Sequence, residues 1–217
     1  MRNKHQPLQQ FIQDNYQKNL AQLAFKKVLV KGYKNRFVLN QLYGKQKAKH
    51  KLPYLFQNNQ VLYPAKVSVE QSSSERTAKW KADLVSGETL LDMTGGFGVD
   101  TYHFSKRVQQ VTYLEKNKEL FDIVAHNYSV LHADNITVIN RDSLEFLATT
   151  TKQFDWIYLD PARRDEVGNR KIGLVGYFPN LLEIQPLIFQ KTKNVLIKVS
   201  PMLDIQQAIQ QLGMVQK

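Results

Sequence analysis

Apolar residues change their period along this chain. Leu8, Phe11, Ile12, Tyr16, Leu20 and Leu23 recur at helical spacing, which predicts one amphipathic helix over residues 7–27, with Pro7 in its first turn. A second helical stretch is expected over 34–49. Pro53 and Asn58-Asn59 mark turns, and Val61-Leu62-Tyr63-Pro64 reads as a short strand. A third helix is expected from about 73 to 85, with Ser72 and Glu75 at capping-box spacing and Gly87 as its C-terminal cap. Beyond residue 88 short apolar runs alternate with helical patterns. Strands are expected at 88–93, 111–115, 136–139, 154–159 and 194–199. Between them fall a helix to about 106, a helix over 117–131 with Leu120, Phe121, Val124 and Tyr128 on one face, and a short helix after Asp142. A helix over 180–191 contains Pro186, and a last helix covers 203–212. Residues 160–178 are expected to form a long loop.

This alternation predicts an α/β fold, a doubly wound and mainly parallel sheet, preceded by a small helical N-terminal domain. The boundary is expected at 65/66, with residues 1–65 basic and helical and residues 66–217 Rossmann-like.

Charge sharpens that division. Residues 1–60 hold twelve Lys and Arg against one acid, Asp14, and so carry the whole net charge of +11; the remainder is neutral. Such asymmetry points to a polyanionic partner, with a solvated face as the plain alternative. Lys45, Lys47, Lys49 and Lys51 lie between Tyr43 and Tyr54, a pattern that can track phosphates while aromatic rings stack on bases. Hydrophobic residues at 42% indicate a globular chain, with no apolar run of membrane-spanning length. The first residues contain no apolar signal-peptide core, and cysteine is absent, which fits a reducing, cytoplasmic location. His5, His50, His103, His126 and His132 show no metal-ligand spacing, so no metal is expected.

Residues 90–100, LLDMTGGFGVD, carry the chemistry. An apolar run enters a glycine cluster and a helical pattern leaves it, as in a strand, tight turn and helix N-terminus. Glycines there take positive φ and let backbone N–H groups approach a ligand. Asp92 ends the first strand. Glu115 ends the next, about twenty residues on, where an acid can hold ribose hydroxyls. Gly96-x-Gly98-x-x-Thr101 lacks the third glycine of a dinucleotide fingerprint. An acid directly before the loop suits a cationic amine better than a pyrophosphate. The second signal is FDWIYLDPARR, residues 154–164, where a strand delivers Asp160 to the carboxyl edge of the sheet. Arg163 and Arg164 suit phosphate or carboxylate recognition.

These stretches resemble motifs I and IV of the class I S-adenosylmethionine-dependent methyltransferases. The resemblance covers roughly residues 8–212. It is similar to RNA methyltransferases whose motif IV reads Asp-Pro-Ala-Arg and which often carry a C-terminal THUMP-like domain; no THUMP-like segment is expected within this sequence. It implies a cofactor site of Asp92, Thr94, Gly95, Gly96, Phe97, Gly98, Glu115, Lys116, Asp142 and Ser143, with Ser73 and Ser74 closing over it. It implies catalysis by Asp160 and Pro161, which in amino-methylating members grip the exocyclic amine. Substrate is assigned to Arg163, Arg164, Lys45, Lys47, Lys49 and Lys51. Ala162 and Arg163 replace the Pro and aromatic of the amino-methylating pattern, so a stacking ring would have to come from Tyr177 or Phe178. Lys198, ending the fifth strand, either contacts substrate or snorkels. The class I fold usually adds two more strands, so the chain is either a fragment or has a short sheet. RNA is the expected partner. A small-molecule or protein methyltransferase, and a non-catalytic RNA-binding module on a degenerate fold, are the alternatives.

Overall fold

Among the described residues, five parallel strands, numbered β1 to β5 in chain order, form one sheet in the order β3-β2-β1-β4-β5. They are β1 (Thr89–Asp92), β2 (Gln110–Leu114), β3 (Ile136–Ile139), β4 (Trp156–Leu159) and β5 (Asn194–Ile197). The computed structural model describes residues 5–25, 29–162, 174, 177, 179–201, 203–213 and 215. Helices α7 (Val99–Phe104), α8 (Lys118–Val130), α9 (Ser143–Thr149), α10 (Leu181–Phe189) and α11 (Ile205–Leu212) alternate with the strands as the apolar pattern predicts. Both faces of the sheet are covered, which is why its strands read as nearly continuous apolar runs. Leu90, Val111 and Tyr158 pack with Phe104 on one face. Leu91, Leu114, Ile157 and Leu159 pack with Leu147, Leu181 and Ile188 on the other. The register sets Asp92 between Tyr113 and Tyr158. The ends of β1 and β4 are therefore neighbours at the switch point of the sheet, where ligands bind in open α/β folds.

The N-terminal region is helical but more broken than its periodicity suggests. One helix over 7–27 is replaced by α1 (Gln6–Asn15) and α2 (Leu20–Ala24), separated where Asn19 caps α2 by accepting from the Ala21 N–H at 2.9 Å. Next come α3 (Asn35–Lys51), α4 (Pro53–Gln57) and α5 (Lys66–Gln71), the last two unanticipated. Residues 61–64 are not a strand. The Leu62 N–H and C=O both pair with the Asn127 side chain at 2.8 Å, and those of Tyr63 pair with Gln41 at 2.7 and 2.5 Å. Two side-chain amides thus do what a neighbouring strand would do.

Helix α6 (Glu75–Ala82) is capped by Ser74, not Ser72, since the Ser74 hydroxyl accepts from the Thr77 N–H at 3.1 Å. Glu75 instead accepts from the Tyr54 N–H at 3.0 Å. Gly87 does not cap the helix, which ends at Asp83; with φ +120° it turns the chain beside the Asp155 side chain. That carboxylate accepts from the Glu88 and Thr89 N–H groups at 2.7 and 2.9 Å and fixes the start of β1 against β4. Tyr63, Leu55 and Leu52 share a core with Phe97, Val99, Tyr113 and Tyr128. Leu8, Val38 and Leu62 share another with Ile123. The N-terminal helices therefore brace the glycine loop and α8. Among the described residues, no helix is long and apolar enough to cross a membrane.

Candidate active site at the carboxyl edge of the sheet

The glycine loop folds onto two tyrosines. The Gly95 N–H donates to the Leu114 carbonyl at 3.1 Å, and the Gly98 N–H donates to the Gly95 carbonyl at 2.9 Å. A Cβ on Gly95 would lie 2.1 Å from the Tyr113 ring, and one on Gly98, at φ +74°, would lie 2.3 Å from the Tyr128 hydroxyl. Only glycine fits either place. The tyrosine hydroxyls then hold the loop, donating to the carbonyls of Gly96 at 2.6 Å and Gly98 at 2.9 Å.

Above this loop opens a cleft of about 210 Å³. Asp92, Thr94, Gly95, Gly96, Phe97 and Gly98 line it, together with Ser73 and Asp160, so two widely separated sequence signals meet in one place. Ser72, Asp100, Leu120 and Tyr158 complete much of the wall. Ser74 is spent on capping α6. Glu115 lies beside the loop, accepting from the Gly96 N–H at 3.2 Å and the Asn117 N–H at 2.7 Å. Burial pushes its pKa up, against the pull of those donors. Lys116 is exposed, its Nζ 4.0 Å from the Asp142 carboxylate. Asp142 caps α9 through the Leu144 N–H at 2.9 Å, and Ser143 is the first residue of that helix. The Asn140 amide donates to the Glu115 carbonyl at 2.7 Å and holds these strand ends together. Glu115, Lys116, Asp142 and Ser143 thus form a second group beside the cleft, outside its lining.

Two buried acids differ in their bonding. Asp92 is 1% exposed and uses both oxygens internally, accepting from the Thr94 N–H at 2.9 Å and the Thr101 hydroxyl at 2.5 Å. Burial raises its pKa to about 7, with the two donors opposing. Asp100 gathers three donors on one oxygen: Lys81 Nζ at 2.5 Å, the Tyr158 hydroxyl at 2.8 Å and the Ser73 hydroxyl at 2.9 Å. Its other oxygen, Oδ1, is buried without a partner. Burial lowers the Lys81 pKa while Asp100 raises it. Sequence reasoning missed Asp100, Lys81 and Tyr158 as site residues. One signal was available: Ala78, Lys81, Ala82 and Val85 share an apolar stripe, and a lysine there needs a buried partner.

Asp160 has a fixed backbone and a paired side chain. Its N–H donates to Thr94 Oγ1 at 2.6 Å, and Lys198 Nζ donates to its Oδ2 at 2.6 Å. Lys198 therefore neither merely snorkels nor stands alone. Pro161 is buried, and Arg163, Arg164 and Phe178 lie outside the described residues.

Residues 64–201 match the family described as conserved hypothetical protein 95. The chain belongs to that family. It is 38% identical over 104 residues to ribosomal RNA small subunit methyltransferase J of Francisella tularensis subsp. novicida, a match covering 44% of this chain and 40% of that protein. The same-named protein of Francisella philomiragia is 32% identical over 80 residues, 33% of each. The chain thus spans well under half the length of these relatives. A crystal structure from Porphyromonas gingivalis, of a protein provisionally assigned as a methyltransferase, superposes with a TM-score of 0.79 at 24% identity. It covers 94% of this chain and 50% of that one. The likeness establishes the Rossmann-like fold.

In this conserved hypothetical protein 95 member the basic N-terminal face is narrower than its sequence suggests. Lys45 is 3% exposed, with Nζ donating to the Phe56 carbonyl at 2.5 Å and Asn59 Oδ1 at 3.0 Å. It points inward on the apolar side of α3, burial lowers its pKa, and it is not placed to meet a substrate. Lys51 is half-buried and donates to the Val69 and Glu70 carbonyls at 2.9 and 2.7 Å, closing the end of α5. Lys47 and Lys49 are exposed. Tyr177 is 4% exposed and its hydroxyl accepts from the Ser200 N–H at 2.8 Å, so its ring belongs to the core and is not free to stack on a base.

Proposed function

We propose that this chain is an S-adenosylmethionine-dependent methyltransferase acting on RNA in the cytoplasm, with small-subunit ribosomal RNA as its substrate. The observation that carries the reading is that the glycine loop and Asp160 line one cleft at the switch point of a Rossmann-like sheet. The names of the Francisella relatives support the reaction and the RNA class.

The residues present fit such a donor. Asp100 Oδ1, buried and unpartnered in the cleft wall, is an acceptor awaiting a polar ligand. Asp92, Thr94, Gly95, Gly96, Phe97 and Gly98 would carry the methionine end, with Ser73 at its edge and Ser74 holding the start of α6 behind it. Glu115 and Lys116 would take the ribose, and Asp142 and Ser143 the adenine. The donor, when bound, supplies a sulfonium methyl already activated for displacement. What the chain must add is orientation. Asp160, followed by Pro161, would accept hydrogens of the target group and aim it across the cleft. Arg163 and Arg164, three and four residues beyond it in sequence, would hold phosphate. Residues 1–65 would act as the docking unit, through Lys47 and Lys49.

The test is methyl transfer from labelled S-adenosylmethionine to unmodified small-subunit ribosomal RNA, followed by nucleoside mapping. Incorporation at one nucleotide is the expected outcome. Incorporation into protein or small molecules alone overturns the RNA assignment.

A further inference from the structure

Building on the RNA reading, we propose that Lys198 is a latch on Asp160, released when a phosphate of a bound single-stranded polynucleotide takes its ammonium group.

The two partners differ in freedom. Asp160 has a short side chain on a backbone tied to Thr94 Oγ1 at 2.6 Å. Lys198 has a flexible four-carbon stem. Both side chains are 32% exposed, so their 2.6 Å contact is open to water and weak for an ion pair. It opens by movement of the lysine. While closed, it occupies one oxygen of the carboxylate that the target group must reach.

A basic depression adjoins the cleft through α5: Lys51 holds the Val69 and Glu70 carbonyls, and Ser68, Gln71 and Ser72 of the same segment line the cleft together with Asp160. Gln46, Lys47, His50 and Lys51 line an open depression of about 480 Å³; the Glu70 carboxylate nearby is already engaged by the Tyr43 hydroxyl at 2.6 Å and Lys66 at 3.8 Å. Lys51 has two of its three ammonium hydrogens on the Val69 and Glu70 carbonyls, which leaves one to donate outward. Burial, and then repulsion by Lys198, holds the Lys51 pKa below the ordinary lysine value, with Lys47 adding to it and Glu70 opposing. A phosphate between Lys51 and Lys198 removes that repulsion and competes with Asp160 for Lys198. One polyanionic strand thus meets both places, with phosphate at the depression and target nucleotide at the freed carboxylate. A nucleoside alone has no means of drawing the lysine away. The latch therefore makes the acceptor responsive to the length of the bound strand.

The test is the salt dependence of binding of a short fluorescent single-stranded oligoribonucleotide to the full chain. Lys198→Met should reduce the slope of log affinity against log salt by about 0.7, the value of one phosphate contact on a single strand. Lys198→Arg keeps the charge and should retain the slope. Asp160→Asn removes the competitor for Lys198 and should tighten binding by about two- to five-fold, the range for an exposed pair. An unchanged slope in Lys198→Met, or binding no tighter in Asp160→Asn, overturns the latch. Failure of the wild-type chain to bind the oligonucleotide at any salt overturns the RNA reading itself.

Discussion

Thr94 Oγ1 accepts the backbone N–H of Asp160 at 2.6 Å, so beyond the last backbone bond, from the Met93 N–H to the Tyr158 carbonyl at 3.1 Å, the loop after β1 and the end of β4 are joined by a side chain. The sheet pairing between these strands ends at Asp92 and Tyr158. The Thr94 hydroxyl carries the alignment two residues further, to the point where the chemistry is proposed. Thr94→Val would leave the Asp160 N–H unpaired and should cost about 1–3 kcal/mol, whereas Thr94→Ser should cost much less. Urea unfolding of the two variants checks this.

Asp92 makes a stability prediction with a definite sign. Its folded pKa, about 7, lies above the ordinary aspartate value of 3.8. Between those limits the folded state binds a proton that the unfolded state has lost, so stability must fall as pH rises through the window. The stability of wild type relative to Asp92→Asn should therefore decline from about pH 4 to pH 7 and level off above it. Parallel denaturation curves for the two proteins across that range provide the measurement. A difference that grows with pH would contradict the buried, proton-retaining assignment.

The fold was legible where physics is local. Buried parallel strands need apolar runs, and the runs at β1 to β5 are visible as such. The glycine loop was legible because Gly95 and Gly98 leave no room for a side chain against Tyr113 and Tyr128. What escaped notice depends on long-range partners. Asn127 and Gln41 replace a strand partner for residues 62–63 from 65 and 22 residues away. Asp100 draws Ser73 and Tyr158 from 27 and 58 residues away, so the sequence hints at the cluster only through Lys81 on its apolar stripe and does not name the partners. Lys45 misleads for the same reason: its acceptors, the Phe56 carbonyl and Asn59, sit beyond the end of α3.

That placement separates the lysines of α3 by experiment. Lys45→Ala removes a buried cation from two acceptors and should destabilise the fold by about 1–3 kcal/mol with little direct effect on RNA affinity at saturating folded protein. Lys47→Ala and Lys49→Ala should do the reverse. If each touches one phosphate, each should lower the salt slope of binding by about 0.7 for a single strand. Thermal unfolding and anisotropy titrations on the same three proteins distinguish the roles.

Glu115 offers a test of the donor site that needs no RNA. Its oxygens already accept from Gly96 and Asn117, but a carboxylate has about four acceptor sites, which leaves capacity for ribose hydroxyls. Glu115→Ala should weaken S-adenosylhomocysteine binding by about 1.5–3 kcal/mol, the range for hydrogen bonds to a charged group. Calorimetry reads this directly. Unchanged affinity would remove Glu115 from the donor site and leave it as a brace for the glycine loop.

Asp160→Ala should separate donor binding from turnover. Asp160 lines the cleft on the β4 side, while the glycine loop occupies the β1 side, so a donor lying over the loop gains little from this carboxylate. The proposed target lies opposite, and its orientation toward the methyl depends on Asp160. Removing an interaction made chiefly in the transition state lowers kcat and kcat/KM together. Misplacement of a reacting group by even an ångström costs on the order of 100-fold. The expected outcome is therefore near wild-type affinity for S-adenosylhomocysteine, with methyl transfer reduced by about 100-fold or more. The variant also frees Lys198, so RNA affinity should rise by about two- to five-fold while turnover falls. An increase in KM alone, with kcat preserved, would make Asp160 a docking residue and shift the orienting role elsewhere on the cleft wall.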